Sequence, residues 1–304
     1  MRRGVVMGIV CGLVFLAPCH FAKGEASLGR EDLRLGAAMI HINFTGTLSL
    51  RRTVIVEWVR RAAVAVTNYL GRFPARELQL NIHGGGTEAV SDGVTLGNRQ
   101  IDVQIGPYAK PADLKDDWIL THEMFHLAFP TLPRRHLWMM EGLSDYLEPI
   151  ARGRAGQLSE AAVWREFVEG LPQGLPTAGD RGLDYDRTRE RIYWGGNLYW
   201  LLADVEIRAQ THNRHSVDDA IRAILNEGGD GSAQWSLGRV CQVGAKATKT
   251  AILKELYEKL GAKPGQVDLD DLWKKLGVKS EAGAISFDNN APWAAVRLAI
   301  TAPR

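Results

Sequence analysis

A chain of 304 residues, 45% hydrophobic and 24% charged, has an ordinary globular balance with room for one two-lobed unit or two small domains, and no low-complexity tract argues for disorder. Its net charge of +2 is spread without a basic stripe, which excludes the electrostatic footprint of a nucleic-acid binder. Of the 3 cysteines, Cys11 and Cys19 lie close to the N-terminus, so a mature chain keeping only Cys241 forms no internal disulfide and depends on its core.

Arg2 and Arg3 precede an apolar stretch over residues 4–18, too short to span a bilayer and suited to a secretory signal. The expectation is a signal peptide over residues 1–26, removed after Ala22 or Ala26, and export to the periplasm or beyond. Leu16-Ala17-Pro18-Cys19 is similar to a lipoprotein processing box. Membrane association is therefore expected only through a lipid on Cys19 or a retained signal.

Residues 27–110 read as a mixed α/β lobe. A β-rich stretch covers 39–44, an amphipathic helix 50–70, and strands 78–82, 90–95 and 101–105. Gly84-Gly85-Gly86-Thr87-Glu88-Ala89 lies between the first two of these strands as a glycine-rich connection.

From residue 111 onward the pattern is nearly all helical. The first helix, from about Asp113 to Pro130, carries His122-Glu123-Met124-Phe125-His126. Histidines four apart on a helix project from one face, so both imidazoles reach one metal ion, and Glu123 stands beside it. Two histidines and a carboxylate around zinc leave a position for water, and a neighbouring carboxylate can take and return its proton. This is the chemistry of a metallopeptidase using one zinc per chain, zinc being inferred over manganese or cobalt from the ligand type.

A short connection over residues 130–135, with two prolines, leads to a second helix carrying Trp138-Met139-Met140-Glu141-Gly142-Leu143-Ser144-Asp145-Tyr146. Antiparallel packing brings Glu141 over the histidines as third ligand, with Glu148 and Asp145 as competitors. Asp145, one turn on, is placed to accept the free N–H of a ligand imidazole. His136 is a weaker substitute ligand.

The HExxH and W-x-x-E-G-x-x-x-Y segments resemble the gluzincin clan of zinc peptidases, especially the glycyl aminopeptidase (M61) and M1 aminopeptidase families. The resemblance implies a thermolysin-like two-lobed α+β zincin core, with a small mixed sheet in the N-terminal lobe and a mostly helical C-terminal lobe over 111–304. It assigns the zinc ligands to His122, His126 and Glu141 and the general base to Glu123. Only 14 residues separate His126 from Glu141, shorter than in those families, so the loop must be tight. The large N-terminal β-domain of M1 and M61 enzymes has no counterpart here. A metzincin would need Gly at 129 and His at 132, where this chain has Phe129 and Leu132.

Tyr193-Trp194-Gly195-Gly196 resembles the Tyr-x-x-Gly segment that supplies an oxyanion hydroxyl in these families, giving Tyr193 that role. The paired glycines would let a substrate backbone approach. Gly85, Gly86 and Glu88 are distantly similar to the strand whose glutamate holds a substrate's free amine. The 90–105 strand pair would be the sheet edge that receives extended substrate.

Further helices are expected over 159–171, from Ser216, over 248–260 and over 269–276, with a strand and short helix over 285–300. Residues 172–186, rich in Gly, Pro and Asp, read as a mobile loop at the cleft. The sequence thus predicts an exported, aminopeptidase-like zinc peptidase acting on peptides or proteins. The other readings are a peptide-binding envelope protein that keeps the fold without catalysis, and a zinc hydrolase of a non-peptide bond.

Overall fold

The computed structural model describes residues 27–303; the expected signal peptide, with Cys11 and Cys19, lies outside the described residues. The chain opens with two strands, β1 (Ser27–Leu35) and β2 (Ala38–Gly46), paired antiparallel. Helix α1 (Arg52–Leu70) then crosses over to β3 (Glu77–Gly84), which lies parallel to β2. Its buried positions Ile55, Trp58, Val59, Ala62, Val66 and Tyr69 recur every three or four residues, the spacing that turns one helix face to a sheet. Gly71, at φ 83°, ends it in the left-handed conformation. β1 was not expected; its outward residues are charged and exposed, so it lacks an apolar alternation.

Strands β4 (Val90–Leu96) and β5 (Gln100–Ile105) form a hairpin, but β5 inserts beside β3 and β4 is left at the edge, in the order β1-β2-β3-β5-β4. A bulge between Ser91 and Val94 interrupts the β4 register, with Asp92 at φ 49°. On one sheet face Ile40, Ile42, Leu78, Leu80, Ile82, Ile101 and Val103 are fully buried. The opposite face is polar and cross-linked: Asn81 donates to Asp102 at 2.6 Å and Asn43 to Asn81 at 2.9 Å. Alternation along the strands separates the two faces.

The helix expected from Asp113 to Pro130 is two helices, α2 (Pro111–Asp116) and α3 (Ile119–His126). Asp117 breaks it by accepting the amides of Ile119 (3.1 Å) and Leu120 (3.2 Å), since a carboxylate that caps a helix competes with continuing the previous one. After a tight turn the chain returns as α4 (Leu137–Arg154), antiparallel and packed on α3. Backbone bonds between Thr131 and the Ala233 and Trp235 amide groups hold that turn.

The rest is helical: α5 (Glu160–Gly170), α6 (Gly196–Thr211), α7 (Val217–Asn226), α8 (Leu237–Thr248), α9 (Ile252–Leu256) and α10 (Leu269–Leu276), then a hairpin of β6 (Val278–Glu281) and β7 (Ala284–Phe287), and α11 (Ala294–Thr301). The helix expected over 248–260 begins only at Ile252, because Lys249 at φ 59° ends α8. The α+β architecture is as expected, a five-stranded mixed sheet beside a helical lobe.

The loop expected to be mobile is pinned. Asp180 pairs with Arg191 at 2.7 Å. Asp184, buried, accepts from Trp138 (2.8 Å) and Tyr257 (2.9 Å) and lies 2.8 Å from His136 Nδ1. His136 is therefore buried in this cluster, not exposed and not a ligand.

Candidate metal centre

Helix α3 is buried on every side, and among its buried residues stand His122, Glu123 and His126. One helical turn brings the two imidazoles together, with the Nε2 atoms 3.1 Å apart. The tight turn carries α4 back across them. Glu141 Oε2 lies 3.3 Å from His122 Nε2 and 3.3 Å from His126 Nε2. Three donor atoms thus form a triangle with sides of 3.1, 3.3 and 3.3 Å. A tetrahedral zinc with bonds of about 2.0–2.1 Å holds its ligand atoms about 3.3 Å apart.

The outer contacts suit the same ion. Asp145 Oδ1 stands 2.9 Å from His122 Nδ1, and Ser144 Oγ is 3.3 Å from His126 Nδ1. A proton held on each Nδ1 leaves the Nε2 lone pairs facing each other. Two such lone pairs and a carboxylate oxygen, converging without solvent, need a cation. Glu141 Oε1 and Glu123 Oε1 are also buried without hydrogen-bond partners. The residues fit a zinc ion.

Glu123 has oxygens within 4.8 Å of the imidazole donors as well, but its Oε2 is occupied by the Thr95 hydroxyl at 2.7 Å. The same hydroxyl lies 2.8 Å from the Glu123 carbonyl oxygen. Glu123 is thus held beside the donor triangle, and Glu141 completes it. Glu148 is committed elsewhere, to Arg152 at 2.6 Å.

Electrostatics follow from burial. Burial raises the Glu123 carboxyl above its ordinary range, opposed by the two histidines and Thr95. For Glu141 burial acts in the same sense, but His126 and His122 outweigh it and the carboxyl falls far below the usual range. Burial disfavours charge on His122, yet Asp145 and Glu141 raise it well above the ordinary imidazole value.

Tyr193 lies on a π-helical turn, Arg191–Gly195, that runs into α6. Its ring centroid is 6.2 Å from that of His122, and the Arg189 guanidinium lies over the ring. Burial, reinforced by Glu141, Asp145 and Glu123, raises the phenol well above its usual value, so it keeps its proton. The paired glycines serve packing instead of substrate access. A Cβ at Gly196 would lie 1.9 Å from the Trp138 carbonyl oxygen, and one at Gly142 2.2 Å from the Gly196 backbone. A Cβ at Gly195 would meet Leu183 at 2.6 Å. α4 and α6 therefore cross backbone to backbone, one residue from Glu141.

Gly85, Gly86 and Glu88 do not join the constellation. They form the β3–β4 connection, with Gly85 N–H on the Ile105 carbonyl at 2.9 Å and the Glu88 carbonyl against Gly106. The N-terminal lobe instead contributes β4, through Thr95 and through Gly93, where a Cβ would lie 2.9 Å from Glu123 Cγ. Sequence reasoning missed both: a threonine in a strand carries no mark of the helix it will face. A glycine inside a strand pattern does signal close approach, and Gly93 is one.

Solved structures share this arrangement of elements. The fold is similar to that of part of the M1 zinc aminopeptidases. An aminopeptidase N family protein from Idiomarina loihiensis superposes with a TM-score of 0.66 over 83% of this chain and 50% of its own, at 13% identity. An M1 zinc metallopeptidase from Deinococcus radiodurans, in a mutant form bound to a Tyr-Ser-Ala substrate, gives 0.51 over 80% and 52%, at 11% identity. Yeast LTA4 hydrolase in complex with bestatin gives 0.50 over 79% and 40%, at 13% identity. The chain spans about half the length of these structures or less. No protein-family model and no curated protein sequence matches it.

Proposed function

We propose that this protein is an exported zinc peptidase that removes residues from the N-terminus of peptides or proteins. The observation that carries the reading is the buried triangle of His122 Nε2, His126 Nε2 and Glu141 Oε2, with the Glu123 carboxylate held beside it. One zinc per chain, held by those three residues, would supply the Lewis acidity that polarises water and carbonyl.

The chain's own groups perform the remaining work. Asp145 and Ser144 fix the imidazole tautomers. Glu123, steadied by Thr95 through Oε2, presents Oε1 to take a proton from the attacking water and to return it to the leaving amine. Its raised pKa suits both acts. Tyr193, kept protonated, donates its O–H to the carbonyl oxygen as negative charge grows there.

Exopeptidase action is supported by the end of the sheet edge. β4 passes Glu123 at Gly93 and Thr95, and beyond it Asn98 donates to Asp230 at 2.8 Å while Gly97 packs on Gly231. An extended peptide added antiparallel to β4 would have its N-terminus at that closed end. Export rests on the sequence of residues 1–26 alone. A hydrolase of a non-peptide bond is the second reading, favoured by the name of the yeast LTA4 hydrolase that shares the fold.

The test is metal stoichiometry of the purified protein by mass spectrometry, with Glu123→Gln assayed on peptides having free and blocked N-termini. One zinc per chain, cleavage of free peptides only, and its loss in the zinc-loaded variant are expected. Full activity in Glu123→Gln would overturn the assignment.

A further inference from the structure

We propose that Arg189 is a positioning residue for the reaction: its guanidinium, lying over the Tyr193 ring, strengthens the phenol as a hydrogen-bond donor to the carbonyl oxygen of the bond under attack. The proposal rests on the peptidase reading and on Tyr193 as its oxyanion donor.

The placement follows from the chain. Arg189 and Tyr193 are four residues apart across the start of the π-helical turn Arg191–Gly195, so one turn of helix sets them on the same side. That turn is held from both directions. Asp186 accepts the Thr188 amide at 2.8 Å and the Thr188 hydroxyl at 2.6 Å just before it begins, and Arg191 within it pairs with Asp180 at 2.7 Å. The Arg189 guanidinium carbon then stands 5.5 Å from the Tyr193 ring centroid, inside the reach of about 6 Å over which a cation is attracted to a ring face. The His122 ring centroid stands 6.2 Å from that of Tyr193. A single aromatic ring therefore separates the cation from an imidazole of the donor triangle.

The surroundings of the phenol give that cation its effect. Glu141, Asp145 and Glu123 bring negative charge to Tyr193, and Arg189 acts against them. The three carboxylates keep the proton on the phenol, yet they also oppose the negative charge that its oxygen takes up when it donates to an anion. Part of that charge spreads into the ring. A cation over the ring is thus attracted more strongly in the transition state than before it, the condition for raising kcat without changing KM. Arg189 is exposed, so water weakens the attraction to that of a surface contact, equivalent to about two- to fivefold in rate. The same exposure means that its replacement spares the core.

The experiment measures kcat and KM separately for Arg189→Met and Arg189→Lys, each in the zinc-loaded wild type and in Tyr193→Phe, on a C-terminally amidated peptide with a free N-terminus. Arg189→Met should lower kcat about two- to fivefold with KM, zinc content and melting temperature unchanged. Arg189→Lys should recover most of that loss, and neither change should alter the residual rate of Tyr193→Phe, because the partner through which Arg189 acts is gone. Calorimetry supplies a readout apart from turnover. Arg189→Met should weaken binding of a phosphinic peptide, whose tetrahedral anion mimics the transition state, by the same factor, and leave binding of the uncleaved peptide to Glu123→Gln unchanged. An unaltered kcat in Arg189→Met, a loss that falls on KM, a loss that lysine does not recover, or one that persists in Tyr193→Phe would overturn the proposal and leave the peptidase reading standing. Wild-type kcat in Tyr193→Phe would overturn it in the same way. Zinc bound with no cleavage of any peptide would overturn both.

Discussion

Thr95 reaches Glu123 from a strand 28 residues upstream, its single hydroxyl proton shared between a carboxylate oxygen at 2.7 Å and the residue's own carbonyl oxygen at 2.8 Å. That hydroxyl is a hydrogen-bond partner of Oε2 and steadies the rotamer of Glu123. Thr95→Val keeps the shape and removes the bond; kcat should fall about tenfold to hundredfold with zinc content and KM little changed, read by steady-state kinetics and metal analysis. At this scale the sequence was informative where chemistry sits within one helical turn. His122 and His126 meet because they are four apart, and Asp145 shares a helix face with Glu141. Thr95 was not legible, because its role depends on which strand the fold lays over α3. Glu88, a glutamate after glycines that looks similar to an amine anchor, lies in the β3–β4 connection, while β4 itself is the segment laid against Glu123.

Between elements, the closest approach is the crossing of α4 and α6 at Gly142 and Gly196. Gly196 has ordinary helical dihedrals, since the residue before it caps at φ −66° and it continues at φ −67°, so alanine there is strained only by what it touches. Gly196→Ala, with a Cβ 1.9 Å from the Trp138 carbonyl, should cost about 3 kcal/mol of stability and weaken zinc binding as α4 is pushed away. Thermal unfolding and a metal titration read the two effects. The break between α2 and α3 gives a pH signature. Burial pushes Asp117 up to about 6 against the helix amides and Trp58 that donate to it. Folding therefore favours its protonated form, and the stability it contributes, complete below the ordinary carboxyl pKa, is lost as pH rises through about 6. Asp117→Asn keeps an acceptor oxygen without the charge. Its stability relative to wild type should improve between pH 4 and pH 7 in urea unfolding; a constant difference would show that Asp117 does not titrate there. The split itself was hidden because apolar periodicity runs through Asp117, and only the cap reveals the restart.

Across the whole molecule a buried charge cluster ties the lobes. Asp218 on α7 receives Arg154 of α4 at 2.7 Å, lies 3.8 Å from Arg208 of α6, and accepts the Tyr69 hydroxyl of α1. Asp204 takes Tyr146 at 2.8 Å and Arg208 at 3.0 Å. Asp218→Ala leaves two buried cations short of a partner and should destabilise the fold by about 3–5 kcal/mol, seen as a large drop in the denaturation midpoint with no selective loss of zinc from the folded fraction. The α+β division and most helices could be read from periodicity, whereas this cluster could not, since its charges come from three helices and its Tyr69 hydroxyl from a fourth. The bulge at Ser91 to Val94 has a further consequence. A flat, open edge grips any extended chain, including a strand of an unfolding neighbour. By breaking the register, the bulge splits the edge into two short runs, Val90 and Ser91 before it and Val94, Thr95 and Leu96 after it, so the sheet can hold a chain end of two or three residues yet offers too little continuous length to nucleate a stacked fibre.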